Sequence, residues 1–498
     1  MDTCLLTSVS EEAMSGLTRR SLLKGAAVGL GAAAAGPFQG VAARAATIRA
    51  AGAVPAVGPD PGYGPLVPIP DLSDGQVRLH LPEGFAYRSF TPRGFLMDDG
   101  VPTPARHDGM ACFQGPGENF TLIRNHEING PVGAFGDLAT AYDPAAGSGT
   151  TRVVVTRFGE VISSEVSNNG TQMNCSGGPM PWGSWVTCEE TINGPDVGND
   201  FTGGNNALLQ RKHGYIYEVP AREHGSGAVS PIRSAGRFAH ESVAYDQISN
   251  SLFLTEDDFN FPSGFYRYQP PTRANARKRI DDGGRLQMLA VRGQPNLDLS
   301  GHIEVGTTFD VEWVDIDDPD PVFPAGTTND QAIVAVANQG LANGAAMFSR
   351  LEGSIWDAGV VYFTSTQGGA PDPTIPVLAG FGDGRGQIWA YHVVANRLRL
   401  MYESTGLDVL DLPDNVTISN RGTLVLCEDG LDSANFLRGL TKDGVLFDFA
   451  RNAIPGATQE EFAGSTFSPN SHTLFVNIQS SSAAISFAIW GPWHRGGF

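Results

Sequence analysis

Asp414-Asn415-Val416-Thr417-Ile418, then Ser419-Asn420-Arg421-Gly422, then Thr423-Leu424-Val425-Leu426-Cys427-Glu428-Asp429-Gly430 reads as strand, turn and strand. β-Branched and aliphatic residues flank a cluster of turn formers, which is the pattern of a hairpin. The same plan recurs. Glu241–Asp246 turns at Ser249–Ser251 and returns as Leu252–Asp258. Gly353–Trp356 turns at Asp357–Gly359 and returns as Val360–Thr364, and Phe462–Phe467 turns at Ser468–Ser471 and returns as Leu474–Gln479. Trp185–Glu190 fits as a degenerate copy. A strand with aromatic character often follows: Gly214–Glu218, Gly264–Tyr268, Gln387–Tyr391 and Gly444–Phe449. Hairpins with an added outer strand, at a period of roughly 50–60 residues, are the mark of propeller blades. The expected fold is therefore all-β, a six-bladed β-propeller with loop insertions. A β-sandwich or two smaller β domains would use similar strands. The recurrence of the unit to the C-terminus without a linker-like break favours the propeller.

Two stretches depart from the repeat. Residues 270–330 are rich in Pro and Asp, and Asp315-Ile316-Asp317-Asp318-Pro319-Asp320 lacks the glycine and spacing of an EF-hand loop. It reads as a solvated acidic loop, and residues 46–75 read as an extended surface arm. Composition agrees with a turn-rich body, since the 498 residues include 62 Gly and 33 Pro. The net charge of −20 argues against a nucleic-acid partner, because phosphate backbones require Lys and Arg. At the N-terminus, Thr18-Arg19-Arg20-Ser21-Leu22-Leu23-Lys24 is a twin-arginine pattern. An apolar run from Gly25 to Ala35 and a small-x-small site at Ala43-Arg44-Ala45 follow it. Residues 1–45 thus read as an export signal and 46–498 as the propeller domain. The apolar run is too short to span a membrane, so no stable membrane anchor is expected. Beyond Cys4 in the leader, Cys112, Cys175, Cys188 and Cys427 would allow one or two disulfides, which spacing does not assign.

The chemistry concentrates in Asn174-Cys175-Ser176-Gly177-Gly178-Pro179-Met180-Pro181-Trp182-Gly183-Ser184-Trp185-Val186-Thr187-Cys188-Glu189-Glu190. It opens with a thiol in a glycine-rich loop and closes with paired carboxylates after a short strand. A thiolate suits a transition metal, and carboxylates suit iron or calcium. Acids recur at other strand ends, in Glu241, Glu256-Asp257 and Glu428-Asp429. In a propeller, equivalent strand ends converge on the central channel, and carboxylates gathered there need cations to offset their desolvation. Glu189 and Glu190 differ in strand parity, so one of them faces the channel, and Glu190 is taken as that one. No Gly-x-Ser-x-Gly elbow stands near a matching His and Asp, and no Walker-type phosphate loop occurs.

Asn125-His126-Glu127, the Asn174–Glu190 block, His240-Glu241, Arg350-Leu351-Glu352 and Cys427-Glu428-Asp429-Gly430 occur in an order that resembles the PhoX-type alkaline phosphatases, secreted phosphatases of bacteria. The resemblance covers most of the chain beyond the leader. It implies a β-propeller exported by the twin-arginine machinery to the periplasm, cell surface or medium. It also implies a site of Fe3+ and Ca2+ that hydrolyses small phosphate monoesters. By motif, Cys175 resembles the iron-binding thiolate. Glu190, Glu241, Glu352, Glu428 and Asp429 resemble the carboxylate ligands, with Glu127 as a further ligand or supporting group. Arg350 resembles the arginine that grips the substrate phosphate and, with Glu352, forms the catalytic pair. Better-studied members tend to carry Pro and an aromatic residue around that glutamate, where this chain has Leu351 and Gly353. A monomer is expected.

Plainer readings stand beside these. Cys175 also reads as a buried small residue or half a disulfide with Cys188, Arg350 as the partner of Glu352 on one strand face, and Glu428-Asp429 as a turn cap. His126 equally reads as a structural histidine. Two other functions use the same residues. One is a calcium-dependent propeller hydrolase of a lactone or phosphodiester, which needs no thiolate. The other is a calcium-stabilised binding propeller without catalysis, against which Arg350 beside Glu352 speaks mildly.

Overall fold

The computed structural model describes residues 61–200, 202–222, 229–373, 379–430 and 434–498, so the expected export signal at residues 1–45 lies outside the described residues. The four clear hairpins are present as His240–Asp246 with Ser251–Glu256, Leu351–Asp357 with Val360–Ser365, Pro413–Ile418 with Leu424–Glu428, and Phe462–Phe467 with Thr473–Ile478. The described strands form sheets of six, three, nine, four and four members in an all-β, propeller-like arrangement. The inner strands are His107–Gln114, Asn174–Met180, His240–Asp246, Leu351–Asp357, Pro413–Ile418 and Phe462–Phe467. Each touches the next in that order, and the last touches the first, closing a ring. Burial on both faces explains their sequences. All seven residues of His240–Asp246 are buried, as are the six of Ser251–Glu256 beside it, so these strands lack the polar alternation of a half-solvated sheet.

Early segments seal late ones. Ala86–Phe90 pairs with Ile485–Trp490 and completes the C-terminal sheet. Val77–Pro82 pairs with Leu446–Asn452 and extends the preceding sheet. A ring that joins its own ends leaves no unpaired seam where it closes.

Several expectations need correction. Residues 46–60 of the expected surface arm lie outside the described residues, and within the rest Leu66–Pro70 pairs with Val77–Pro82 as an edge strand. The 270–330 insertion contributes two strands to a sheet. Arg285–Val291 and Thr308–Asp315 pair with each other, and Thr308–Asp310 then pairs with Arg397–Arg399 of the following unit. Its β-branched and aromatic residues pair as strands despite the acidic surroundings. Gly444–Phe449 belongs to a fourth strand, Leu446–Asn452, because Phe436–Leu440 intervenes. The glycine-rich stretch at Cys175 is an inner strand rather than a loop. Its glycines answer to close packing: a Cβ on Gly178 would stand 1.8 Å from the Val243 carbonyl oxygen of the neighbouring sheet.

Phe487 tests the closure. It lies opposite Ser89 in the register and packs against Tyr87 at 5.7 Å between ring centroids, fully buried. Phe487→Ala is expected to cost about 3–5 kcal/mol of unfolding free energy. Denaturant titration measures this, and a loss below about 1 kcal/mol would show that the closing strand contributes little.

Candidate metal centre

Each inner strand breaks register with its partner at the same place, two residues facing one. The pairs are Asp108-Gly109, Cys175-Ser176, Glu241-Ser242, Glu352-Gly353, Asp414-Asn415 and Gly464-Ser465. A bulge bends the strand and re-aims its side chains. Five of these six bulges therefore present an acid or a thiol at equivalent positions of the ring.

The bulges are locked by side chains of neighbouring hairpins. Asn125, opposite the Asp108 bulge, donates its amide to the carbonyl oxygens of Cys175 (3.1 Å) and Ser176 (2.8 Å). Thr255, opposite the Glu241 bulge, donates to the Glu352 carbonyl at 2.5 Å. Thr364, opposite the Glu352 bulge, donates to the Asp414 carbonyl at 3.0 Å. Asn477 donates to the Asp108 carbonyl at 2.6 Å. A bulged backbone loses ladder partners, and these side chains satisfy the carbonyls so exposed.

Three overlapping groups of ligand atoms result, each with its members within 4.8 Å of one another: Cys175, Glu190 and Glu241; Glu241, Glu352 and Asp414; and Asp414, Asp429 and Glu461. Shared Glu241 and Asp414 join them into one buried string. Cys175, Glu190, Glu241, Glu352 and Asp429 stand where the sequence places ligands. Asp414 and Glu461 were missed. Asp414 occupies the same unit position as Glu241 and Glu352, so superposing the hairpins would have found it. Glu461 precedes its strand and carries no such signal.

The acids that close the second strands divide by parity. Glu189, Glu256 and Glu428 turn back into their own sheets. Glu189 accepts from the backbone of Gly214 and Tyr215, and Glu256 from Gly264 N and Tyr266 Oη. Glu428 accepts from Asp411 N, Phe436 N and the buried Arg438, which also pairs with Asp448. The expectation of Glu428 as a ligand is therefore corrected: its strand face belongs to Arg438, and its neighbour Asp429 faces the string. Glu127 stands apart from the three groups, its Oε2 accepting from Gln479 Nε2 at 2.6 Å, while the same amide donates to Asp108. His126 is held by the Ala105 carbonyl and Thr151 Oγ1.

Arg350 is 1% exposed and pairs with both Asp257 (2.9 Å) and Glu352 (2.7 Å), with a longer 3.4 Å bond from Nη1 to Gln367 Oε1. Its φ is positive, at +43°, as it is for the residues before three other inner strands, Arg106, Met173 and Leu412, so the strain belongs to the way these strands begin. The four described cysteines are thiols rather than disulfides. Burial, reinforced by Glu241 and Glu190, pushes the Cys175 thiol well above its ordinary value. A cation beside it would reverse that balance, since a coordinating thiol is deprotonated. Six carboxylates and one thiolate carry more negative charge than one divalent ion neutralises, so the donor set fits several cations. The thiol end offers sulfur to a transition metal, and the all-carboxylate groups suit hard cations.

A family model described as alkaline phosphatase PhoX matches two overlapping stretches, residues 61–165 and 142–482. The chain belongs to the PhoX alkaline phosphatase family. PhoX proteins are metal-dependent and typically exported, and no described helix here is long and apolar enough to cross a membrane. The fold is similar to that of Pseudomonas fluorescens PhoX in complex with vanadate, a transition state analogue. That match has a TM-score of 0.61 and 17% identity, and covers 86% of this chain and 98% of that one. A gluconolactonase from Xanthomonas campestris matches with a TM-score of 0.33 and 13% identity over 88% of this chain and 99% of that one. Among curated protein sequences there is no match.

Two measurements probe the frame around the centre. Thr255→Val removes the donor to the Glu352 carbonyl and is expected to cost about 1–3 kcal/mol of stability, with weaker retention of metal on dialysis. Unchanged stability and retention would show that this link does not hold the bulge. His213, buried between Glu189 (2.6 Å) and Asp143 (3.4 Å), titrates above its ordinary range: burial favours the neutral ring, but Glu189 and Asp143 outweigh it. The folded ring thus keeps its proton to higher pH than the unfolded ring. Its stabilisation is complete below about pH 6.5 and is lost as pH rises through the folded value. Denaturation midpoints across pH 6–9 should fall more steeply for the native chain than for His213→Gln, and parallel curves would refute the charged pair.

Proposed function

We propose that the chain is an exported, metal-dependent phosphomonoesterase acting on small phosphate monoesters at an iron and calcium site. The observation that carries this reading is the buried string Cys175–Glu190–Glu241–Glu352–Asp414–Asp429–Glu461, with Arg350 at its edge, in a chain of the PhoX family. Cys175, Glu190 and Glu241 would hold iron, and Glu241, Glu352, Asp414, Asp429 and Glu461 would hold calcium. Cations bound there supply Lewis-acid polarisation of the phosphoryl group and a lowered pKa for the attacking water.

The chain's own residues position the substrate. Asp257 grips Arg350 through Nε and Nη2, which fixes the guanidinium plane. The weaker 3.4 Å contact of Nη1 to Gln367 is the one a phosphoryl oxygen would displace. Glu352 orients Arg350 and serves the string at once, which explains why both belong in one site. Glu127, beside Asp108 and Gln479, is assigned a supporting part. In this reading the nine-stranded sheet is two blades fused through Thr308–Asp315, giving six blades for six inner strands. Export follows the twin-arginine route, the unit is a monomer, and neither nucleic acid nor a membrane anchor is involved.

The test is elemental analysis and turnover of 4-nitrophenyl phosphate on one natively exported sample. Iron and calcium near stoichiometry, activity lost to chelator, and loss of about a hundredfold or more in Cys175→Ala and Glu352→Gln are expected. Full activity in Cys175→Ala would favour a calcium-only hydrolase. Full activity without metal would end the phosphatase reading as stated.

A further inference from the structure

A second buried arginine lies on a segment whose backbone is tied to the strands carrying the ligand string. Arg385 is 3% exposed, and among the described residues its Nε and Nη1 reach no hydrogen-bond acceptor. The closest carboxylate, Asp411, stands 3.7 Å from Nη1, beyond hydrogen-bond range. Burial pulls the Arg385 pKa below its ordinary value despite Asp411 and Asp372 nearby, so these acids compensate the charge incompletely. A buried guanidinium with two of its nitrogens short of hydrogen-bond acceptors is costly unless something else supplies them.

The backbone ties this residue to the centre. The Arg385 carbonyl accepts from Leu412 N at 3.0 Å, and the Leu412 carbonyl accepts from Asp429 N at 3.0 Å. Leu412 in turn leads through Pro413 to Asp414. The segment before Arg385 is pinned to Gln367, whose amide donates to the Ala379 and Gly382 carbonyls and whose own carbonyl accepts from Gly384 N at 2.9 Å. Gly384 lies so close that a Cβ would stand 2.0 Å from the Gly368 carbonyl. The same Gln367 receives Arg350 through Oε1. One glutamine thus links both arginines, with Arg350 beside Glu352 in the middle of the string and Arg385 beside the segments that carry Asp414 and Asp429.

We propose that Arg385 is a further substrate-binding residue whose guanidinium holds a phosphoryl oxygen at the Asp414–Asp429 end of the site. A phosphate supplies the acceptors that the surrounding protein withholds, and the planar fork of arginine suits a tetrahedral oxyanion. The proposal rests on the phosphatase reading. The competing role is a structural one, as the partner of Asp411.

The test uses the full chain, loaded with metal by native export, with 4-nitrophenyl phosphate as substrate and inorganic phosphate as competitive inhibitor. In Arg385→Met, the inhibition constant for phosphate and KM should each rise about tenfold or more. Arg385→Lys should fold as the native chain does and raise the phosphate constant by a smaller factor, since the charge remains but the fork is lost. Asp411→Asn should leave the phosphate constant within about twofold of native. If Arg385→Met fails to fold, the lysine variant decides. An unchanged phosphate constant in the folded arginine variants, or an equal rise in Asp411→Asn, overturns the proposal while native turnover upholds the phosphatase reading. A native chain without turnover overturns both.

Discussion

Thr255 Oγ1, buried between two hairpins, donates to the carbonyl oxygen of Glu352, and Thr364 repeats the bond to Asp414 of the next hairpin. Asn477 does the same for Asp108, and Asn125 for Cys175. These short side chains carry the centre of the molecule. Each inner strand bulges, five of them at an acid or a thiol, and each bulge strips the backbone of ladder partners. The neighbouring hairpin restores those partners. Ring closure and ligand placement are therefore one structural problem, solved by the same hydrogen bonds. The strands that seal the ring, Ala86–Phe90 and Val77–Pro82, matter to the centre because they keep the sheets in contact.

The second constraint is electrostatic. The acids of this molecule fall into two populations by what surrounds them. Glu189, Glu256 and Glu428 are satisfied within their own sheets, by backbone N–H groups, a tyrosine or Arg438. Glu190, Glu241, Glu352, Asp414, Asp429 and Glu461 bring their ligand oxygens together in the overlapping groups of the string. Buried like charges at such separations raise the free energy of the ionised protein steeply. Cations remove that cost, so metal uptake and the stability of the ring are linked. Arg350 offsets part of the charge at Glu352, in the middle of the string, and is itself fixed by Asp257.

How much of this was legible in the linear order varied by residue. The hairpins around Tyr245, Ile418 and Phe467 were plain, because strand and turn residues announce themselves within a few positions. Glu190 was separable from Glu189 by parity alone. The same parity applies to Glu428 and Asp429, where it removes Glu428 from the ligand set, and Arg438 ten residues on is the partner that claims it. Asp414 looked like the polar start of a strand until superposition with Glu241 and Glu352 gave it a place. Glu461 has no strand context, and Arg385 lies in a glycine-rich connection where side-chain direction has no period to follow.

By itself the sequence determined the all-β class, the repeated unit, the thiol-and-carboxylate chemistry and the family, since periodicity, turn residues and ordered motifs are local properties of the chain. The tertiary structure alone decided which acids meet. That choice depends on a one-residue slip in each inner strand and on hydrogen bonds between sheets whose residues lie far apart in the chain, and no local pattern encodes either.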